Sequence, residues 1–421
     1  MDRPVEPVGT IESQRWMKAP ATRAVVDALT ADSAEVRFVG GCVRDAVAGR
    51  KVTDVDIATP DPPETVTRLL EAAGIRVVPT GIAHGTVTAV IRHRHFEITT
   101  LRRDVETYGR RAKVAFTDDW TADAARRDFT INALFCDPDG TLYDPFGGID
   151  DLDAGRVRFV GDAVKRIKED VLRLLRFFRF YAHYGRPPPD AEALAACRAM
   201  ARALPGLSGE RVSAELLRLL AAPDPAAVLA LMIEAEVLAF VLPEVAGLDA
   251  LAELCAVEGE AGDPLRRLAL LLRRGYDAAG EAGERLKMSN AQKKRLAAMV
   301  TPPAPITADL DFAAQRRALY HTGAALFTDL VYLAWAEALA RAPADEEALA
   351  AAYAPMCGTA RAWEDPRLPV KGADVVKLGV PDGPRVGELL ARIEAWWEAG
   401  DYRAGREETL ARLEELAAEK S

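Results

Sequence analysis

Two aspartates separated by one residue, Asp54 and Asp56, carry the clearest chemistry in this chain of 421 residues. Residues two apart on a strand point the same way. Asp54-Val55-Asp56-Ile57 would therefore present two carboxylates on one face while Val55 and Ile57 turn to a core. Paired oxygen donors suit a hard divalent cation such as magnesium. A short way upstream stands Gly40-Gly41-Cys42-Val43-Arg44-Asp45. Val36, Phe38 and Val39 read as a buried strand, Gly40 and Gly41 allow a sharp turn, and Val43 to Ala48 read as a helix behind it. The start of a helix offers unpaired N–H groups and partial positive charge, so these amides and Arg44 together form a cradle for phosphate.

The elements needed to position these groups can be read around them. Strand-like runs fall at 36–39, 54–58, 86–91, 95–101, 131–136 and 141–143. Arg92-His93-Arg94 reads as one hairpin turn and Asp137-Pro138-Asp139-Gly140 as another. After Asp150 the strand signals fade, and Ala, Leu, Glu and Arg at helical spacing dominate. The expected fold is an α+β head, a mixed sheet with flanking helices, followed by an all-helical remainder. The expected divisions are 22–150 as the head, 151–210 as a neck, 211–300 as a body and 301–421 as a tail. Pro187-Pro188-Pro189 should interrupt the first helical block, and Pro302-Pro303-Ala304-Pro305 offers the best later boundary, since helices do not run through such segments.

Composition narrows the field. Nearly half the residues are apolar, 49%, which argues for a globular protein and against a disordered one. No run comes near the roughly 20 uncharged apolar residues of a membrane span, and Met1 to Met17 lacks a signal-peptide core. A cytoplasmic protein with no membrane partner is the expectation. Cys42, Cys136, Cys197, Cys255 and Cys357 are far apart and unpaired in spacing, so neither a disulfide framework nor a zinc site is indicated. The net charge of −10 argues against a protein that coats nucleic acid by bulk charge. Local basic clusters at Arg102-Arg103, Arg110-Arg111-Lys113, Lys165-Arg166-Lys168 and Lys293-Lys294-Arg295 still leave room for a structured RNA.

Taken together, Gly40 to Thr59 resembles the first signature of nucleotidyltransferases built like DNA polymerase beta. More closely, it resembles the bacterial branch holding class II CCA-adding tRNA nucleotidyltransferases and bacterial poly(A) polymerases. Glu97, in Phe96-Glu97-Ile98-Thr99-Thr100, has two readings. Either it faces solvent on an edge strand, or, as the resemblance implies, it is a third carboxylate beside Asp54 and Asp56. Gly81-Ile82-Ala83-His84-Gly85-Thr86 is also similar to the CCA-adding pattern, with His84 a structural hydrogen-bonder.

Arg126-Arg127-Asp128-Phe129-Thr130-Ile131-Asn132-Ala133 resembles the family's second signature. By that resemblance Arg127 contacts the triphosphate and Asp128 and Asn132 hold the ribose. The residue types fit, because a guanidinium matches phosphate oxygens and an amide or carboxylate reads a sugar hydroxyl. Glu169-Asp170-Val171-Leu172-Arg173-Leu174-Leu175-Arg176-Phe177-Phe178-Arg179-Phe180 reads as one amphipathic helix with its arginines on a ridge and Asp170 a step before them. Its bland reading is a solvated basic face. The resemblance implies instead that Asp170 and Arg173 read the incoming base, with Arg176 and Arg179 as further nucleotide contacts. Cytosine and adenine each show an exocyclic amine beside a ring acceptor, so a carboxylate next to a guanidinium complements both. Uracil and guanine reverse that order and would leave buried groups unpaired.

The polar stretch from Thr100 to Asp123 reads as a surface loop, and relatives that add the terminal A carry a flexible loop here. The resemblance thus implies addition of CCA to the tRNA 3′ end from CTP and ATP with two magnesium ions. Its rivals are a poly(A) polymerase, a CC-adding or A-adding half-enzyme, and an inactive RNA binder. In the helical remainder, Lys293-Lys294-Arg295 reads as a solvated helix end or a phosphate contact, and Trp396 and Trp397 read as core.

Overall fold

The structure is a computed structural model that describes residues 5–32, 34–82, 85–108, 111–245, 247–273 and 277–419. The chain forms two compact units. One runs to Pro243 and takes in Arg285–Lys287; the other holds Glu244–Glu284 and the chain from Met288 onward.

The first unit contains every strand among the described residues. These are β1 (Pro7–Thr10), β2 (Arg37–Val39), β3 (Val55–Thr59), β4 (Arg76–Gly81), β5 (Thr86–Ile91), β6 (Arg94–Thr100), β7 (Arg102–Tyr108), β8 (Arg111–Phe116), β9 (Phe135–Cys136) and β10 (Thr141–Tyr143). Eight form one sheet in the order β1-β10-β9-β2-β3-β6-β5-β4. β3 and β6 run parallel and their neighbours antiparallel, so the sheet is mixed. Alternation along the strands gives it two cores. Phe38, Ile57, Val87, Phe96 and Ile98 pack with Val25 and Leu29 of helix Pro20–Leu29 and Val66 and Leu70 of helix Pro63–Ala72. On the other side Val39, Ala58 and Phe135 pack with Trp120 and Ala124 of helix Trp120–Ala125. Full burial of each large apolar side chain is worth about 1.5–3 kcal/mol, which is what holds the short strands in place.

The expected β5–β6 turn is present, with Arg92 and His93 both at positive φ. The β9–β10 turn is closed by Gly140 N–H donating to Asp137 O at 2.9 Å. Between Leu101 and Thr117 the structure departs from the expected loop. β7 and β8 pair as an antiparallel hairpin, whose root is tied by Thr117 N–H to Leu101 O at 3.0 Å. Backbone pairing makes this hairpin, and a largely polar sequence concealed it. The run 131–136 also divides, with Thr130–Asn132 forming a 3-10 turn before the two residues of β9. His84 and Gly109 lie outside the described residues.

Helices complete the first unit. Ala163–Glu169 and Leu172–Tyr184 are separate helices rather than one, because Asp170 has φ −151° and ends the first of them. Gly209–Leu220 packs against Leu172–Tyr184. Every regular element among the described residues of the second unit is a helix, and Pro302–Pro305 separates two of them. Its helix Phe312–Arg341 is long and apolar enough to cross a membrane by length and composition, although Arg316, Arg317, Asp329 and Glu337 interrupt it. The helix is kinked at Gly323, and its Leu319, Phe327, Leu330 and Val331 are buried with Tyr353, Met356 and Cys357, the setting of a core helix. Of the two tryptophans read as core, Trp397 is buried and Trp396 half-buried, and Arg295 bonds Asp329 and Asp263 at 2.8 Å.

Candidate active site

β2 leads into Gly40, whose φ of +70° is a conformation that a side chain disfavours, and the helix Gly41–Val47 starts directly after it. Arg44 on that helix is buried. Its Nη1 donates to Asn132 Oδ1 at 2.6 Å, its Nε donates to Asp45 Oδ1 at 3.0 Å, and its guanidinium lies 4.4 Å from the Tyr184 ring. Arg44 thus faces the cleft as part of a fixed network and not as a loose cation.

The acidic strand sits next to this turn. Val55 and Ile57 are buried as expected, and Asp54, immediately before β3, is exposed. Asp56 is half-buried and stands in register with Glu97 across the parallel pair. Glu97 is therefore mid-sheet, on β6 between β3 and β5, and exposed; it is not on an edge strand. Burial first, then the charges of Glu97 and Asp54, pushes the Asp56 carboxyl up to about 6, against the pull of Arg127. Among the described residues no three metal-ligating side chains form a ready-made cage. The donor set is nonetheless all oxygen, crowded with like charge, and without a hydrogen-bond donor on the Asp56 carboxylate among the described residues. Such a set fits a hard cation that completes its shell with water and phosphate oxygens.

The Arg126–Asn132 segment lies opposite. Arg127 Nη2 donates to Asp123 Oδ2 at 2.9 Å, and Arg126 bonds the other oxygen of the same buried carboxylate. Asp128 is buried, bonded by Asn132 Nδ2 at 3.0 Å and Arg176 Nε at 2.6 Å. Burial alone would raise its carboxyl, but Arg176, Asn132 and the Phe129 N–H outweigh it and hold it below the usual range.

Asp170 does not ride a helical ridge. It occupies the break between two helices, where Oδ1 accepts from Leu172 N–H at 3.2 Å and Oδ2 accepts from Arg211 Nη2 at 2.7 Å. Arg173 is pinned by Glu169 Oε2 at 2.5 Å and donates to Arg166 O and Arg126 O at 3.0 and 3.1 Å.

These pieces line one cleft of about 500 Å³. Of the residues singled out in the sequence, Gly40, Gly41, Arg44, Asp56, Arg127, Asp128, Asn132, Asp170, Arg173 and Arg176 reach it. Asp54 and Glu97 stand beside it and are not among its walls. Arg179 also lies outside the lining, giving its Nε to the buried Glu215 at 2.6 Å. The sequence reading missed Arg126, Leu172, Phe180 and Arg211, which also line the cleft. Arg126 was legible as the neighbour of Arg127. Arg211 had no signal, being 41 residues from its partner Asp170.

A mixed sheet that sets carboxylates beside a basic, glycine-bounded cleft is the layout of a nucleotidyltransferase. The family described as poly A polymerase head domain matches residues 36–158, and one described as a probable RNA and SrmB binding site of polymerase A matches residues 189–248. The chain belongs to the family of CCA-adding tRNA nucleotidyltransferases and poly(A) polymerases. Mitochondrial CCA tRNA nucleotidyltransferase 1 of Danio rerio is 35% identical over 389 residues, 90% of this chain and 87% of the relative. The Homo sapiens protein of the same name is 33% identical over 404 residues, 92% of this chain and 88% of the relative. The solved CCA-adding enzyme of Bacillus stearothermophilus, determined in complex with CTP, is similar with a TM-score of 0.76 and 27% identity, covering 94% of this chain and 98% of that one.

Proposed function

We propose that this chain extends the 3′ end of tRNA with C, C and A, using CTP and ATP and releasing pyrophosphate. The observation that carries the reading is the cleft. Three segments far apart in sequence, the glycine turn, the Arg126–Asn132 turn and the Asp170–Arg176 segment, meet in it beside Asp56. Relatives that match over nine-tenths of the chain bear the name of that activity.

In this reading, residues 22–150 are the catalytic head, 151–210 the base-reading neck, and 211–300 and 301–421 the body and tail that meet the tRNA. Asp54 and Asp56 would hold magnesium, with Glu97 adding negative charge from the next strand. Bound there, the metal supplies activation of the terminal hydroxyl and neutralisation of phosphate charge. Above a pH of about 6 Asp56 is in the carboxylate form this requires. Arg127, anchored by Asp123 so that its position is fixed before substrate arrives, binds the triphosphate with the amides at the start of helix Gly41–Val47. Asn132 and Asp128 face the ribose. Asp170 accepts from the exocyclic amine of C or A, and Arg173 donates to the adjacent ring acceptor. Both are already clamped by protein partners, so the reader is built before the base enters.

The head match also favours a second reading, a poly(A) polymerase. One assay separates them: the purified chain is incubated with tRNA lacking CCA, each nucleotide is supplied singly and together, and the products are sequenced. Ordered C, C, A with CTP and ATP supports the first reading; runs of A from ATP alone transfer the activity to the second.

A further inference from the structure

Asp151 is completely buried, lies outside the cleft and has no part in the chemistry above, yet it ties down the turn that carries Asn132. Its Oδ1 accepts from Arg156 Nε at 2.6 Å, and its Oδ2 accepts from Arg158 Nε at 2.9 Å and from Thr130 Oγ1 at 2.6 Å. The two arginines are about half exposed, 49% and 45%, so the carboxylate is the fixed point and their outer ends reach solvent. A carboxylate with no exposure is costly unless its lone pairs are filled. Here they are filled by two cations and one hydroxyl, and the hydroxyl belongs to the first residue of the 3-10 turn Thr130–Asn132.

The turn is held from other directions too. Thr130 N–H donates to Arg158 O at 3.0 Å, and Val160 N–H donates to Asp128 O at 3.0 Å. The helix Gly148–Asp153, which carries Asp151, lies flush against the same turn, because a Cβ on Gly148 would fall 2.2 Å from Thr130 O. Asp144 caps that helix by accepting from Gly148 N–H and Ile149 N–H, both at 2.8 Å. Two residues beyond Thr130, Asn132 sends its oxygen to Arg44 and its nitrogen to Asp128. Any rotation of the turn therefore moves the amide and the carboxylate together.

We infer that Asp151 is a positioning residue for the sugar end of the nucleotide site: by anchoring Thr130 it fixes the aim of Asn132 and Asp128 and so sets the preference for ribo- over deoxyribonucleotides without touching either. This rests on the reading that Asn132 and Asp128 face the ribose. The experiment compares kcat/KM for CTP and dCTP in the full chain and in Thr130→Val, Asp151→Asn and Asn132→Ala, with melting temperature measured for each. Thr130→Val keeps the shape of the side chain and leaves the two arginine pairs on Asp151. It should lower the CTP-to-dCTP preference roughly tenfold, the scale of one misaligned hydrogen bond, through a higher KM for CTP and with kcat within a few-fold. Asp151→Asn should do the same or more. If Asp151→Asn does not fold, Thr130→Val decides alone. If Asn132→Ala shifts the preference while a well-folded Thr130→Val leaves it unchanged, the positioning role is overturned. If Asn132→Ala itself leaves the preference unchanged, the ribose reading fails and the inference falls with it.

Discussion

Arg211 holds Asp170 at 2.7 Å across the wall of the cleft, joining the start of helix Gly209–Leu220 to the break between the two neck helices. The contact leaves lone pairs on both oxygens of Asp170, which can accept from an amine. Asp170→Ala should therefore weaken base choice and not merely slow the reaction. Losing one partner of a buried polar pair costs about 1–3 kcal/mol. Incorporation of UTP or GTP relative to CTP and ATP should rise roughly ten- to hundredfold, as should occur in Arg173→Ala. An even loss for all four nucleotides in a steady-state competition assay would remove these residues from base reading.

Asp56→Asn keeps the shape of the strand and removes the carboxylate charge proposed to hold magnesium. Nucleotide addition should drop by orders of magnitude while tRNA binding, measured by filter retention, stays near that of the parent. The same expectation holds for Asp54→Asn, and near-normal incorporation by either variant would refute the assignment.

The raised carboxyl of Asp56 fixes the sign of a pH effect. Its folded value of about 6 lies above the ordinary value of 3.8, so the folded state holds this proton more tightly than the unfolded state does. This group's penalty is absent below the ordinary value, grows as pH rises towards 6, and is constant above it. Without added divalent cation, Asp56→Asn should melt higher than the parent at pH 7.5 and close to it at pH 4. Magnesium should raise the melting temperature of the parent at pH 7.5, with the gain fading below pH 6. A gain that is the same in Asp56→Asn would place the cation elsewhere.

Removing Tyr108 to Lys113 shortens the β7–β8 hairpin at its tip and leaves its root at Leu101 and Thr117. If the hairpin couples to the change from C to A, the truncated chain should still add CC and lose the terminal A. Equal loss of both, read by sequencing the tRNA products, would indicate a general role in folding or tRNA binding.

Glu258 in the second unit accepts from Arg266 Nη1 at 2.6 Å and from Arg267 Nε at 2.8 Å, and all three side chains are buried. Glu258→Ala removes a buried carboxylate shared by two buried arginines, of which Arg266 keeps Asp329 Oδ1 at 3.0 Å, and breaking such a buried pair costs about 3–5 kcal/mol. Urea unfolding should show that loss, and a change under 1 kcal/mol would mean that the arginines find water or other partners.

The sequence was most legible where pattern and turn chemistry agreed. β5, β6 and the Arg92-His93 turn, and the Asp137–Gly140 turn, follow from alternation and local backbone preference. β1 was missed because four exposed residues including Pro7 and Gly9 give no alternation. Asp170 illustrates a different limit. Helical spacing runs straight through Glu169 to Phe180, but Asp170 leaves the helical conformation and its side chain accepts from the first N–H of the next helix, a break that apolar spacing does not register. Arg211 and Glu215 were out of reach for a third reason. Their partners are 41 and 36 residues away, and only tertiary packing brings them together.

The parallel register of β3 and β6 bears on the order in which the chain becomes ordered. β4 and β5 lie between β3 and β6 in the chain, so the pairing that sets Asp56 against Glu97 is non-local and is expected to form late compared with a hairpin such as β5–β6. Its last step also brings like charges together, opposing closure of the pair. A divalent ion present during refolding would thus act on a rate as well as on a final stability, and the acidic centre would be among the last parts of the head to assemble.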